Sequence, residues 1–346
     1  MTCHVIGQHS DSVYSIWMHP DCRSRAFAPA PEPPAAEEVP KLHSRKQQPL
    51  LLRVVYYIFP AWPMVMIWFL VAANYVIHMV VRETAWSTPV VIAGHAITAV
   101  QMVAFFQCVH THPGSPPPGW GTAAQPTGYW TTCVVEGVPL PPRAFYVRRL
   151  GEAILGFDHF CWWLGVPVGW RNRKFFVQFV LWSSVLSGFA LVLTLRDLVQ
   201  VVPGFEFLGG KPMHVDHHKL NALMAASPVG QPLPMMLIGL AMSELSSAEL
   251  IHAGCLYLLV GCDAVACALL GGFGAYHVYL ILHNRTSMEP PGEGVYQLSR
   301  GENWRQVMGR KWRLWLLPLW LDDGPIGDGM SWPTNQVEDA SAHRAA

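Results

Sequence analysis

Residues 175–195 read FFVQFVLWSSVLSGFALVLTL, 21 residues without a single Asp, Glu, Lys or Arg. A helix needs about 20 such residues to cross a bilayer, so this stretch predicts a transmembrane helix. Three further stretches share its length and apolar character: 55–81, 89–108 and 250–282. The first carries Pro60 and Pro63 near its start, where proline is tolerated and is expected to bend the helix. Only residues 82–88 separate the first two, so these form an antiparallel pair. The expected fold class is an all-α polytopic membrane protein with four transmembrane helices.

Composition agrees. Charged residues make up only 13% of the 346, about half the usual share, while 51% are hydrophobic and 15 are Trp. The net charge is zero, so nothing global points to nucleic acid. The apolar run 233–242 (LPMMLIGLAM) is too short to span and reads as a re-entrant, interfacial or lumenal packing piece.

Orientation follows from Lys and Arg. Residues 1–54, 109–174 and 283–346 hold 19 of the 23 basic residues, which places both termini and the middle region in the cytosol. The expected layout is a cytosolic tail over 1–54 and helices 1 and 2 over 55–108. A cytosolic domain follows over 109–174, then helices 3 and 4 over 175–282 around a lumenal loop 196–249, and a cytosolic tail over 283–346. Residues 28–40 (APAPEPPAAEEVP) are expected to be unfolded. The first residues lack an apolar core, so no cleavable signal peptide is expected. The eight cysteines show neither a disulfide framework nor a CxxC pair.

The middle region carries the chemistry. Asp158, His159 and Cys161 fall within four positions. A cysteine attacks as its thiolate, an imidazole beside it can take the proton, and a carboxylate can fix the imidazole tautomer. Adjacency in sequence alone does not make such a triad, and a polar loop with a free thiol reads the same way.

The surrounding residues are more specific. Phe157-Asp158-His159-Phe160-Cys161-Trp162-Trp163 and then Val168-Gly169-Trp170-Arg171-Asn172-Arg173-Lys174-Phe175-Phe176 resemble the core of the DHHC-type protein S-palmitoyltransferase family. That core is Asp-His-His-Cys-Pro-Trp, a Val-Gly-x-x-Asn run and a Phe-rich entry into the third helix. His112-Pro113-Gly114 stands where the family has Asp-Pro-Gly, and Thr286-Ser287-Met288-Glu289 where it has Thr-Thr-x-Glu. Asn303-Trp304, Val307-Met308-Gly309 and Trp315-Leu316-Leu317-Pro318 match its C-terminal Asn-centred motif.

The resemblance implies a ping-pong transfer of a palmitoyl group from palmitoyl-CoA, through an acyl-enzyme, to cysteines of substrate proteins at the cytosolic membrane face. Cys161 would be the nucleophile, His159 its base and Asp158 the orienting carboxylate. Asn303, Thr286 and Glu289 would be supporting residues that pack the tail against the domain. The partners implied are the lipid bilayer, fatty acyl-CoA and cysteine-bearing substrate proteins in endomembranes, Golgi or ER. A palmitoyl chain gains about 0.8 kcal/mol per buried CH₂, so its natural place is among the helices.

The sequence departs from the family at its metal. The family's cysteine-rich domain holds two zinc ions with six Cys and two His. Counted back from Cys161, those positions fall on Cys133, Glu136, Tyr146, Val147, Leu150, Ala153, Phe160 and Pro167. One thiolate does not make a tetrahedral site, so the metal expectation is none, and no permanently bound cofactor is expected. A packed core of Tyr146, Val147, Leu150 and Phe160 is expected in the metal's place. The rival account is a catalytically weakened scaffold that binds acyl-CoA or partner proteins, and Trp162 in place of the family's Pro adds to it.

Basic residues flank the segment: Arg148, Arg149, Arg171, Arg173 and Lys174. Arg171, Lys174 and Arg173 are candidates for the CoA phosphates; the other reading is juxtamembrane charge that sets topology. Asp263 within the fourth helix is expected to pair with a polar group of another helix, a proton or ion pathway being the alternative. His277 is expected to pack or hydrogen-bond. The run His214-Val215-Asp216-His217-His218 reads as a solvated loop or a metal site.

Overall fold

The computed structural model describes residues 61–81, 85–118, 120, 131–132, 139–147, 150–203, 209–210, 218, 222, 225, 245–289, 294–320 and 324–335. The tail 1–54, residues 55–60 of the first expected helix, Cys133, Glu136, Arg148, Arg149, His214 to His217 and the run 233–242 lie outside the described residues.

The apolar stretches fold as helices: α1 (Ala61–Asn74), α2 (Thr88–His110), α3 (Arg173–Val201) and α4 (Ser247–Leu282), with a short α5 (Arg300–Met308) in the C-terminal region. Among the described residues α2, α3 and α4 are long and apolar enough to cross a membrane. The described part of the first stretch is shorter, α1 running directly into a π-helical segment Tyr75–Val81. The 36 residues of α4 make a rod of about 54 Å, longer than a hydrocarbon core of about 30 Å. Ile251, Leu258, Val265, Leu269 and Tyr276 stand exposed along α4. Steps of seven and four keep them on one helix face, an exposed apolar stripe of the kind a membrane-length helix presents.

The middle region corrects the all-α expectation. It folds as three two-stranded antiparallel sheets: β1 (Thr131–Thr132) with β2 (Pro139–Leu140), β3 (Phe145–Val147) with β4 (Glu152–Ile154), and β5 (His159–Cys161) with β6 (Val166–Val168). Short β-branched and aromatic runs separated by glycines at positive φ are the physical reason. Gly151 (φ 78°) follows the β3 turn and Gly165 (φ 69°) the β5 turn.

The described residues fall into two compact units, one drawn from 61–67, 102–179 and 275–335, the other from 68–101 and 180–274. The second is helical. Met79, Trp86 and Leu193 form one apolar cluster in it, and Leu198, Val202, Ala253 and Leu256 another. Several of its buried polar side chains pair with one another. Asn74 Nδ2 donates to Asp263 Oδ1 at 2.9 Å, the partner expected for Asp263. His78 Nε2 lies 3.0 Å from Thr194 Oγ1, and its Nδ1 3.6 Å from Asp197.

The first unit holds the hairpins and the C-terminal segment. Leu140, Ala144, Ala153 and Leu155 cluster with Tyr146, Trp170 and Met330 against them. Val147, Ile154 and Phe157 form a second cluster, covered by Phe160 and Met288. Helix α5 starts with a capping box, Ser299 accepting from Glu302 N and the Glu302 carboxylate from Ser299 N.

Candidate active site

Strand geometry resolves the weakness of a bare D-H-x-C. Residues two apart on a strand share a face. His159 and Cys161 therefore project together, while Phe160 between them turns to the opposite face and packs on the Val147–Ile154–Phe157 cluster. Register is held by β6, where His159 pairs with Val168, Phe160 with Pro167 and Cys161 with Val166. Beyond Cys161 the chain reverses at once, Leu164 N and Gly165 N both donating to the Cys161 carbonyl at 3.2 and 2.8 Å. The Gly169 backbone lies so close to Ile154 that a Cβ there would meet Ile154 Cγ2 at 2.6 Å, which seats β6 against β4.

Asp158 precedes the strand and is fully buried. Ser287 N donates to its Oδ1 at 2.6 Å, and Ser287 Oγ donates to its carbonyl oxygen at 2.6 Å. Arg173 Nε stands 3.3 Å and His277 Nδ1 3.4 Å from Oδ2, with His159 Nδ1 3.9 Å from Oδ1. Burial alone would raise its pKa, but Arg173, His159 and His277 outweigh burial and hold the carboxyl well below the usual carboxylate range. It is an anion wrapped in positive charge.

That anion acts on His159. Burial disfavours a charged imidazole, yet Asp158 and the Cys161 sulfur, which hydrogen-bonds to the ring, together lift the His159 pKa to about 9. The ring is further held edge-on against Phe176 at 4.9 Å and lies 5.4 Å from the His277 ring. A thiol beside a protonated imidazole is the arrangement from which thiolate nucleophiles arise. Cys161 is itself buried at 6% exposure, so a long acyl chain reaching it would leave water.

The supporting residues expected from sequence sit around this centre. Asn303 is fully buried; its Oδ1 accepts from Leu298 N, and its Nδ2 donates to the Leu282 and Leu298 carbonyls at 2.9 and 3.1 Å. Glu289 accepts from Thr286 N at 2.9 Å and pairs with Arg143. The three cations expected at the CoA phosphates separate. Arg171 is exposed. Arg173 and Lys174 are instead held inside: Arg173 faces Asp158 and donates through Nη2 to the Arg285 carbonyl, while Lys174 Nζ donates to the Leu319 carbonyl and lies 4.3 Å from the Trp320 ring centroid. Helix α3 begins at Arg173 rather than Phe175, and its first turn points both side chains inward.

Sequence reasoning missed Ser287 as the partner of Asp158, although it lies inside the motif Thr286–Glu289. It also missed Asn172, whose side chain accepts from Gly169 N and donates to the carbonyls of Pro167 and Cys108. His277, expected to hydrogen-bond, has Asp158 as its partner.

The zinc positions can be tested on their side chains. Tyr146 pairs across β3–β4 with Ala153, and Phe160 across β5–β6 with Pro167. Val147 and Ala153 are buried in the apolar clusters. None of the described positions offers a thiolate or imidazole, so these residues do not fit a tetrahedral zinc. Leu150 corrects the expected core: it is 39% exposed, because Leu150 N and Gly151 N both donate to the Val147 carbonyl and the residue rides on that turn.

Comparison with known proteins agrees with the geometry. Residues 127–290 match the family model described as DHHC palmitoyltransferase. Among relatives, "Palmitoyltransferase PFA3" of Debaryomyces hansenii is 24% identical over 57% of this chain and 45% of its own length. "Probable protein S-acyltransferase 12" of Arabidopsis thaliana is 26% identical over 72% of this chain and 81% of its own. "Palmitoyltransferase ZDHHC20" of Homo sapiens is 26% identical over 57% of this chain and 44% of its own. The chain thus spans about half the length of the fungal and human relatives it matches.

Proposed function

We propose, for a chain whose residues 127–290 carry a DHHC palmitoyltransferase domain, that it is a membrane-bound protein S-acyltransferase using palmitoyl-CoA as donor. The observation that carries this reading is His159 and Cys161 on one face of β5 with the Asp158 anion behind them. In the first half-reaction the Cys161 thiolate attacks the thioester carbonyl. The C–S bond to CoA breaks, and the CoA sulfur leaves with the proton that His159 carries. In the second, His159 takes the proton of the substrate thiol, the new thiolate attacks the Cys161 thioester, and Cys161 leaves as thiolate. Asp158 keeps the imidazole oriented through both steps: the ring is neutral in the acyl-enzyme, ready to accept the substrate proton, and is charged again once Cys161 leaves as thiolate.

Arg171, the exposed member of the three cations, is assigned to the CoA phosphates, where a guanidinium binds bidentately. Arg173 and Lys174 shape the site from inside. The chain crosses the membrane four times, with both termini and the hairpin domain in the cytosol, in the Golgi or ER. The hairpin domain works without zinc, its apolar clusters holding Tyr146, Val147, Ala153 and Phe160 at positions that metal ligands occupy elsewhere in the family.

Cys161→Ser should abolish hydroxylamine-sensitive labelling by an alkyne palmitate analogue; equal labelling of both proteins sinks the enzyme. Elemental analysis of purified protein should find no stoichiometric zinc, and about two ions per chain would refute the zinc-free domain. The rival scaffold, favoured by Trp162 standing 44% exposed beside Cys161 in place of proline, predicts acyl-CoA binding with no transfer to any thiol.

A further inference from the structure

Asp158 depends on two pieces of chain that are far apart in sequence. One is the turn Thr286–Glu289, whose Ser287 N–H meets the carboxylate. The other is the segment entering β5, where Phe157 N donates to the Arg143 carbonyl at 3.0 Å. Arg143 touches both. Arg143 donates through Nε and Nη2 to the two oxygens of Glu289 at 2.6 and 3.2 Å, and Glu289 Oε2 in turn accepts from Thr286 N at 2.9 Å, closing the turn. Its Nη1 and Nη2 also reach the side chain and carbonyl of Asn284, each at 3.0 Å.

Three features say that this guanidinium is built in rather than resting on a surface. Its side chain is only 2% exposed. It lies between the Tyr296 and Trp332 rings, 5.0 and 4.3 Å from their centroids. Its backbone stands at φ 64°, a conformation that costs a non-glycine residue free energy and persists where the surroundings enforce it.

We infer that Arg143 is a positioning residue of the acyl-transfer site, holding the Ser287 turn and the Phe157–Asp158 segment in register so that Asp158 keeps His159 oriented beside Cys161. The inference rests on the function proposed above. It acts through Asp158 and touches no reacting atom. The titratable and charged groups that face His159 are Asp158 and Cys161 from the β5 segment, Arg173 from α3 and His277 from α4; Arg143 is not among them, so its influence must pass through geometry.

The test uses full-length protein in detergent or nanodiscs. Arg143→Gln should lower the maximal autoacylation rate about tenfold or more, with the palmitoyl-CoA concentration for half-maximal rate unchanged within about twofold. Arg143→Lys restores charge without the planar fork and should recover only part of the rate. A second readout needs no acyl-CoA: alkylation of Cys161 by iodoacetamide at pH 7, followed by mass spectrometry of its peptide, should be several-fold slower in Arg143→Gln. If wild type fails to acylate while this difference persists, the enzyme reading fails and the positioning inference stands. Should Arg143→Gln not fold, Glu289→Gln keeps the Asn284 bonds and should slow both readouts in the same direction. Alkylation and maximal rate at wild-type values overturn the inference. So does a change confined to the donor concentration dependence, or an Arg143→Gln/Glu289→Gln double variant whose loss is the product of the singles.

Discussion

Among the described residues, two carboxylates are completely shielded from solvent, Asp158 in the hairpin unit and Asp263 in the helical unit. Asp158 is met by a guanidinium, two imidazoles and a main-chain N–H. Asp263 is met by one amide, from Asn74. A lone carboxylate in a low-dielectric setting is costly and is satisfied by a hydrogen bond. Surrounding one with a guanidinium, imidazoles and an N–H from different elements does more: it keeps the charge in place as a tool. The contrast separates a buried acid used to join helices from one built to act on a neighbour.

The comparison can be broken most sharply at Asp158. Asp158→Asn keeps the shape and an acceptor for Ser287 N, but removes the charge that orients and protonates His159. Autoacylation of the folded fraction should fall by about 10³-fold or more, the scale seen when a triad carboxylate becomes an amide. A loss under about tenfold would mean that the surrounding positive charge has another purpose. The next effect is on pH. The folded-state pKa of His159, about 9, stands above its ordinary 6.5. Its contribution to stability is therefore complete below about 6.5 and is lost as pH rises through about 9. Thermal unfolding in detergent should show the midpoint dropping across that window, and the drop should flatten in His159→Gln. The smallest effect belongs to Asp263→Asn. One hydrogen-bonding group replaces another opposite Asn74, so stability should change by about 1 kcal/mol or less and autoacylation by less than about twofold. A large loss of acylation there would erase the distinction between the two acids.

Different parts of this arrangement were legible to different degrees in the sequence. Three long apolar helices, α2, α3 and α4, were, because an uncharged run of 21 residues such as 175–195 leaves few alternatives. Asp158, His159 and Cys161 stood out by residue type, yet nothing local said that they face one another; that came from β5 pairing with β6 in a region expected to be a metal-free loop around a packed apolar core. Arg173 and Lys174 read as cytosolic cations because charge near a helix end usually is solvated. Their inward turn follows from Asp158 and from the Leu319 carbonyl, partners 15 and 145 positions away. Leu150 misled for the opposite reason, since hydrophobicity pointed inward while the turn after β3 carried it out.

Ser287 has a consequence for how this site tolerates change. What it gives the Asp158 carboxylate is its main-chain N–H, and every residue except proline carries that group. An alanine scan would remove only the hydroxyl bond to the Asp158 carbonyl and would leave the anion's own donor intact. Position 287 is thus free to drift in side chain while its role persists, a contribution invisible to substitution tables and visible to proline alone.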